Sequence, residues 1–318
     1  MNIGNTTLRG NLILAPLAGY TDCAFRQIAT EWGSDCCVTE MVSAEGLSRD
    51  GEKTKELLYR FEGEKDLIIQ IFGFEATQMS RCINSLLQFN PTIIDINWGC
   101  PVQKVTKTGA GSALMENPEK IYQMVKTLKE FTDIPISVKF RLGWTQDQIN
   151  YLEFAQASVE GGAQMLTMHG RTRAQGYQGK ANWEELKNLK ANFPSIKVFG
   201  SGDVLSPESA LNMLHDTGVD GVMFARGAIG NPFIFQQTKQ LIATGTFDPI
   251  DTETRLDTMR RHLNYMVQYL GERKAIVEFR KHISGYVKGQ EGASKVKQLA
   301  MQALSVADYF GAFENLRT

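Results

Sequence analysis

A cysteine followed by proline, Cys100-Pro101, ends the run of Ile93, Ile94 and Ile96 and opens a loop that carries Lys104, Lys107, Gly109 and Gly111. A thiol on a loop whose glycines permit closure over a ligand, with lysines close by, is equipped to act as an acid or a nucleophile. The plainer alternatives are a small buried hydrophobe or a turn residue before proline. Lys139 and Arg141 stand two apart in "SVKFRLGW" and so share one face of a strand. Lys139 fits a Schiff-base lysine or a fixed cation beside an electron-rich ring. His169 opens "HGRT", with Arg171 two residues on, as a donor to a ring or a phosphate. Gln70 and Asn97 are amides that donate and accept at once, which suits an imide edge such as that of uracil or a flavin. "GSGD" (200 to 203) and "ARGA" (225 to 228) are glycine turns where backbone N–H groups can approach a phosphate.

These residues share one kind of position. Eight apolar or β-branched segments recur along the chain: 12 to 19, 36 to 42, 66 to 73, 92 to 101, 135 to 144, 164 to 172, 196 to 204 and 220 to 228. Helical periodicity fills stretches between them, including Thr77 to Phe89, Pro118 to Phe131, Ile149 to Glu160, Trp183 to Asn192 and Pro207 to Thr217. Strand–helix alternation repeated eight times implies a parallel (β/α)8 barrel, a TIM barrel, in which side chains at strand C-termini carry the chemistry. Pro16, Ala18, Gln70, Asn97, Cys100, Lys139, Arg141, His169, Arg171, Ser201, Asp203 and Arg226 fall at those ends. In such barrels the turns after strands seven and eight commonly hold a phosphate, and here they are "GSGD" and "ARGA". No GxGxxG opens a first helix, which speaks against a doubly wound sheet. After a Pro- and Asp-containing linker, "TFDPIDTET", no strand candidate remains. The expected organisation is a catalytic barrel over 1–246 and a smaller all-helical domain over 247–318.

Composition sets the outer bounds. The 318 residues carry 34 Lys+Arg and 35 Asp+Glu with 42% hydrophobic content, enough for a full barrel core. From Arg255 to Thr318 there are 11 Lys+Arg and 6 Asp+Glu, against 23 and 29 in the rest, so a basic end sits on an acidic body and suits a polyanion. Cys23, Cys36, Cys37, Cys82 and Cys100 form no CxxC pair and have no ligand spacing with the four histidines, so neither a disulfide framework nor a metal site is expected. No leader pattern and no membrane-length apolar run is seen, and the expected location is a reducing compartment, the cytoplasm.

Taken together, "LAPLAGYTDCAFR", "TEMVSA", "QIFG", "DINWGCPVQKVTKTGAGSAL", "SVKFRLGW", "HGRTRAQGYQG", "GSGDV" and "ARGAIGNP" resemble the tRNA-dihydrouridine synthase family, most closely its bacterial B-type branch. The likeness runs in order from Leu14 to Pro232, and "GERKAIVEFRKHISGY" in the helical part is also similar. It implies FMN-dependent reduction of the C5=C6 bond of a uridine in tRNA, with NADPH or NADH as reductant. It implies no membrane and no stable protein partner. By carry-over, Pro16, Leu17, Ala18 and Gln70 line the flavin, Lys139 stands beside its ring and His169 contacts it. Ser201, Gly202, Asp203, Ala225 and Arg226 hold its phosphate end. Asn97 and Arg141, with Lys104 and Arg171, face the substrate, and Cys100 gives a proton to C5. That role needs the thiol form, so the resemblance implies a Cys100 that is not strongly acidified. Leu17 stands where the family usually has Met, and Ser201 where Asn is frequent.

Three readings compete with this one: an enzyme resembling dihydroorotate dehydrogenase that acts on a free pyrimidine, a Schiff-base aldolase centred on Lys139, and an RNA-binding barrel without activity. The basic helical end argues against the first, since a small substrate needs no such module.

Overall fold

The computed structural model describes residues 1–100, 111, 115 and 117–316. Lys104, Lys107 and Gly109 lie outside the described residues. Eight parallel strands close into a barrel: β1 (Leu12–Leu14), β2 (Cys36–Val38, resumed at Val42–Ser43), β3 (Leu67–Phe72), β4 (Ile93–Asn97), β5 (Ile136–Arg141), β6 (Met165–His169), β7 (Lys197–Ser201) and β8 (Gly221–Phe224). Each falls within one of the eight expected segments, except that β2 runs one residue past its segment, to Ser43. Closure comes from β8 pairing back on β1, with Val222, Met223 and Phe224 opposite Leu12, Ile13 and Leu14. A closed sheet leaves no row of unpaired backbone groups.

Alternation along the strands explains the core. On β3, Leu67, Ile69 and Ile71 pack outward against helices, while Ile68 and Gln70 alternate with them. Ile13, Cys36, Val38, Ile68, Ile93, Met165, Phe199 and Met223 fill the barrel interior, and Ile3 and Leu8, around a short N-terminal hairpin, join that cluster. Above this apolar layer the inward positions become polar: Gln70, Asp95, Asn97, Ser137, Arg141, Thr167, His169 and Ser201 are all buried. One strand departs from the expected uniform run. Val38 pairs with Ile68 and Val42 with Ile71, so β2 carries one more residue than β3 between the same two pairings. Such a bulge re-aims side chains. Thr39 mends the ladder by donating its N–H to Ile68 O at 2.9 Å and accepting from Gln70 N at 3.1 Å, and Met41 ends up lining the central cavity.

Around the barrel run α1 (Cys23–Glu31), the short α2 (Ala44–Ser48) and α3 (Glu52–Glu56), then α4 (Ala76–Leu87), α5 (Pro118–Phe131), α6 (Tyr151–Glu160), α7 (Trp183–Asn192), α8 (Pro207–Thr217) and α9 (Ile234–Thr244). The starts follow local chemistry. Ser206 and Ser209 form a reciprocal capping box with Pro207 in the first turn of α8, and Gly218 ends that helix at φ +68°. Helix α6 begins two residues later than its periodicity suggests, because Ile149 is held in an isolated bridge to Gly143.

The chain ends in α10 (Thr252–Leu270), α11 (Glu272–Tyr286), α12 (Ala293–Gln302) and α13 (Val306–Phe313), an all-helical region. Asp251 caps α10, so the last three residues of the expected linker are already helical. These helices share a core of Met259, Leu263, Met266, Phe279, Ile283, Tyr286 and Phe313, joined to the barrel through Ala24, Phe233 and Trp32. Contact with the barrel is close at one point. A Cβ on Gly285 would lie 2.0 Å from Ile229 O, so only glycine lets α11 press on the segment after β8. Among the described residues no helix is long and apolar enough to cross a membrane.

Candidate active site

The polar layer at the barrel mouth surrounds a cavity of about 450 Å³. Its wall along β3 and β4 is a directed series of hydrogen bonds. Gly99 N and Cys100 N donate to Asn97 Oδ1 at 3.2 and 2.9 Å. Asn97 Nδ2 donates to Gln70 Oε1 at 2.7 Å, Gln70 Nε2 donates to Asp95 Oδ2 at 2.6 Å, and Ser137 Oγ donates to Asp95 Oδ1 at 2.5 Å. Register makes this possible: Gln70 pairs with Asp95, Asp95 with Ser137, and Asn97 with Lys139. Burial pushes the Asp95 carboxyl up, while the bonds from Gln70 and Ser137 and the charge of Lys139 draw it down.

The adjoining wall, on β5 and β6, is cationic. Burial, and then the repulsion of Arg141, lower Lys139 to about 8 from the ordinary lysine value of 10.5; Asp95 and Cys100 act the other way. At neutral pH it is therefore a cation with a readily lost proton. Arg141 is buried and gives Nε to Gly99 O at 2.8 Å and Nη1 to Thr172 O and Gly176 O at 3.1 and 3.0 Å. It thus ties the segment after β4 to the segment after β6 and also faces the cavity. Burial lowers its affinity for its proton, yet guanidinium stays charged at any pH the fold survives. His169 is held well below its usual value by burial and by Arg141, Lys139, Arg171 and Arg226, so it is neutral. Cys100 lies close enough to both Lys139 and Arg141 to act on their hold on a proton.

At the far end stand Ser201, Gly202, Asp203, Ala225 and Arg226. Gly202 has φ +116° and its missing Cβ would sit 2.8 Å from Ala181 Cβ, so the turn admits glycine alone. Asp203 adopts φ +57°, a left-handed conformation uncommon outside glycine. Its carboxylate repays that strain by accepting from Arg171 Nη2 at 2.7 Å to both oxygens, from Ala181 N at 2.7 Å and from Arg226 Nη2 at 3.3 Å. Burial works against the anion, but these partners hold it below the usual carboxylate range. Arg226 stacks 4.6 Å from the Tyr177 ring, and Arg141 approaches the same ring at 5.8 Å.

The structure gathers fourteen of the expected site residues on one cavity: Pro16, Leu17, Ala18, Gln70, Asn97, Cys100, Lys139, Arg141, His169, Ser201, Gly202, Asp203, Ala225 and Arg226. Arg171 is not on that wall; it is buried behind it, bonded to Asp203 and to the carbonyls of Gln178 and Gly179. Lys104 lies outside the described residues. Sequence reasoning missed Met41, Tyr177 and Tyr20 on the wall and Asp95 and Ser137 beneath it. For Asp95 a signal existed, a carboxylate two residues before Asn97 in an otherwise apolar strand.

Residues 13–316 match the family described as Dihydrouridine synthase (Dus). The chain is 43% identical over 318 residues to a probable tRNA-dihydrouridine synthase of Treponema pallidum, covering 97% of this chain and 94% of that protein. It is 36% identical to the tRNA-dihydrouridine synthase B of Vibrio parahaemolyticus, over 99% of each chain. Among solved structures, a 2-naphthoyl-CoA reductase complex superposes with a TM-score of 0.57 at 11% identity, covering 76% of this chain and 51% of that one, a likeness of fold alone. With a family match across nearly the whole chain and two such relatives, the chain belongs to the dihydrouridine synthase family, whose members are flavin-dependent oxidoreductases.

Proposed function

We propose that this chain reduces the C5=C6 bond of a uridine in tRNA to 5,6-dihydrouridine, with FMN as cofactor and NADPH or NADH as electron source, in the cytoplasm. The observation that carries the proposal is a single cavity that brings together a thiol residue, two amide side chains, a lysine of lowered proton affinity and a cation-lined glycine turn. The residues fit FMN. A cavity of about 450 Å³ lies in the size range of cofactor sites. Arg226 and the Gly202 turn offer one end to a phosphate, with the Asp203 charge neutralised by Arg171 and Arg226. Lys139 offers a cation, and Gln70 and Asn97 offer N–H donors, toward a ring with carbonyl oxygens. When bound, FMN supplies the hydride that reaches C6 of the uracil.

The chain's own residues do the rest. Hydride addition at C6 leaves charge at C5 and O4, which an acid must quench. Cys100 holds that proton at Sγ and delivers it to C5. Asn97 and Arg141 orient the base, with Arg141 acting largely through the two segments it ties together. The site sits in the barrel mouth, so the uridine must leave its stack to enter. The basic helical region, which we assign to residues 247–318 beside a catalytic barrel of 1–246, grips the tRNA backbone and presents the uridine, with salt-sensitive affinity. Lys104 and Arg171 complete the set assigned to the substrate, Arg171 by holding Asp203 and the segment after β6 in place.

Purified protein should be yellow and release FMN on denaturation, and it should form dihydrouridine in tRNA lacking that modification. The Cys100→Ala variant should keep its flavin while losing at least about a hundredfold in turnover, as expected for loss of a general acid. A colourless protein that takes up no FMN, or unchanged turnover in the alanine variant, would refute the reading.

A further inference from the structure

We propose that Asp95, which touches neither cavity nor thiol, is a positioning residue that sets the direction in which Gln70 and Asn97 point their amides. The proposal rests on the reaction proposed above. It is argued from hydrogen-bond polarity. At the top, Gly99 N and Cys100 N are backbone N–H groups and can only donate, so the atom of Asn97 that faces them must be the oxygen. Asn97 therefore turns its NH₂ toward Gln70, whose oxygen must face it at 2.7 Å. Gln70 is then left with its NH₂ aimed at Asp95, and only an acceptor fits there, at 2.6 Å.

Gln70 and Asn97 are buried and the atoms joined in this chain are turned into the wall, so those atoms must find their partners within the protein. Asp95 meets the requirement in either protonation state, because the Ser137 hydroxyl below it can donate or accept. With both amide oxygens engaged inside the chain of bonds, and the second Asn97 N–H directed at Met41 Sδ at 3.8 Å, the two side chains meet the cavity mainly through their NH₂ groups. This wall favours the carbonyl oxygens of a bound ring over its donors. The same chain of bonds holds the Cys100 backbone, and with it the base from which the thiol works.

The polarity can be reversed by design. Gln70→Glu sets two carboxylates against each other across the Gln70–Asp95 contact. In Gln70→Glu/Asp95→Asn the contact is restored the other way round: the new amide donates to the new carboxylate, Ser137 donates to the amide oxygen, and Asn97 still finds an acceptor. Asp95→Asn alone keeps an acceptor for Gln70, with Ser137 turning to accept.

Two measurements on the full-length variants decide the matter. The first is the rate at which iodoacetamide alkylates Cys100 in flavin-stripped protein, a clean readout because the other four cysteines are buried. The second is dihydrouridine formed per bound flavin. Gln70→Glu should speed alkylation at least about threefold and slow turnover at least about tenfold, the size expected of one broken buried hydrogen bond. In alkylation the double variant and Asp95→Asn should both return to within about threefold of wild type, a strongly non-additive cycle, whereas turnover should recover in Asp95→Asn only, because Gln70→Glu removes an amide N–H offered to the cofactor. A double variant alkylated as fast as Gln70→Glu or faster, a Gln70→Glu that behaves as wild type, or an Asp95→Asn as damaged as Gln70→Glu would overturn the proposal. If Gln70→Glu does not fold, the double variant must still fold and alkylate at the wild-type rate, or the proposal fails. Should wild type make no dihydrouridine, the proposed reaction falls, while the alkylation comparison still tests the role of Asp95.

Discussion

Replacing Lys139 by Met should make the flavin-stripped protein more stable, and the gain should vanish in alkali. Burial and Arg141 bring the folded-state pKa to about 8, against 10.5 for a solvated lysine. Between those values the unfolded chain binds a proton that the folded chain does not, so the stability owed to this group rises with pH across the window from about 8 to 10.5. Below pH 8 both states are protonated and the full cost of burying the ammonium is present. At about 1.4 kcal/mol per pH unit that cost has an upper bound near 3.5 kcal/mol, and access of cavity water brings it to about 2 kcal/mol. Methionine matches the aliphatic stem and carries no charge, so Lys139→Met should unfold at higher urea at pH 7, by about 2 kcal/mol, and within about 0.5 kcal/mol of wild type at pH 10.5. Adding FMN at pH 7 should reverse the order, because only the wild type gains an anion for its buried cation. A difference between the two proteins that is flat from pH 7 to 10.5 would refute the argument, since it would mean that the ammonium is not desolvated in the fold.

Two further outcomes follow from geometry. Arg26 and Glu64 form a fully buried ion pair at 2.8 Å, and Arg26 also holds the carbonyls of Thr21 and Tyr59; Arg26→Met strands the Glu64 carboxylate and should cost about 3–5 kcal/mol in urea unfolding at pH 7, with less than 1 kcal/mol arguing against the pairing. Gly202→Ala adds a Cβ at 2.8 Å from Ala181 Cβ in a left-handed turn; it should weaken FMN binding by at least about tenfold while lowering stability by only about 1–2 kcal/mol, and titration with FMN showing wild-type affinity would remove the phosphate role from this turn.

The barrel was legible because its cause is local: apolar residues with period two, glycine past helix ends, and polar residues at six of the eight strand termini are all visible in one chain. The site residues followed from those termini, which is why fourteen of them meet on one cavity. What stayed hidden depends on register. The β2 bulge that carries Met41 to the cavity adds one residue against β3, and "CCVTEMV" looks continuous until both pairings are known. Arg171 follows His169 at a spacing that suggests a shared direction, but the turn after β6 swings it to Asp203, and only the tertiary position of the β7 turn reveals that partner. The lowered proton affinity of Lys139 is likewise a property of its surroundings and has no signature in "SVKF".

Asp95 shows why such a residue is easily passed over. The lower barrel interior is apolar and needs no partners, whereas every polar group in the upper layer must find one or lose its hydration without return. Gln70 and Asn97 cannot satisfy each other fully, because an amide pair always leaves a donor and an acceptor over. The backbone of Gly99 and Cys100 takes the spare acceptor, so a carboxyl or its equivalent has to take the spare donor, and Asp95 is the inward residue of β4 at that level. A carboxyl group in mid-strand is thus required by the two amides above it, and in the proposed reaction those amides serve a ring rich in carbonyl oxygens. On this argument the hold on the Cys100 backbone should survive Asp95→Asn and the paired exchange at 70 and 95 but not Gln70→Glu alone, a pattern that a core packing defect would not produce.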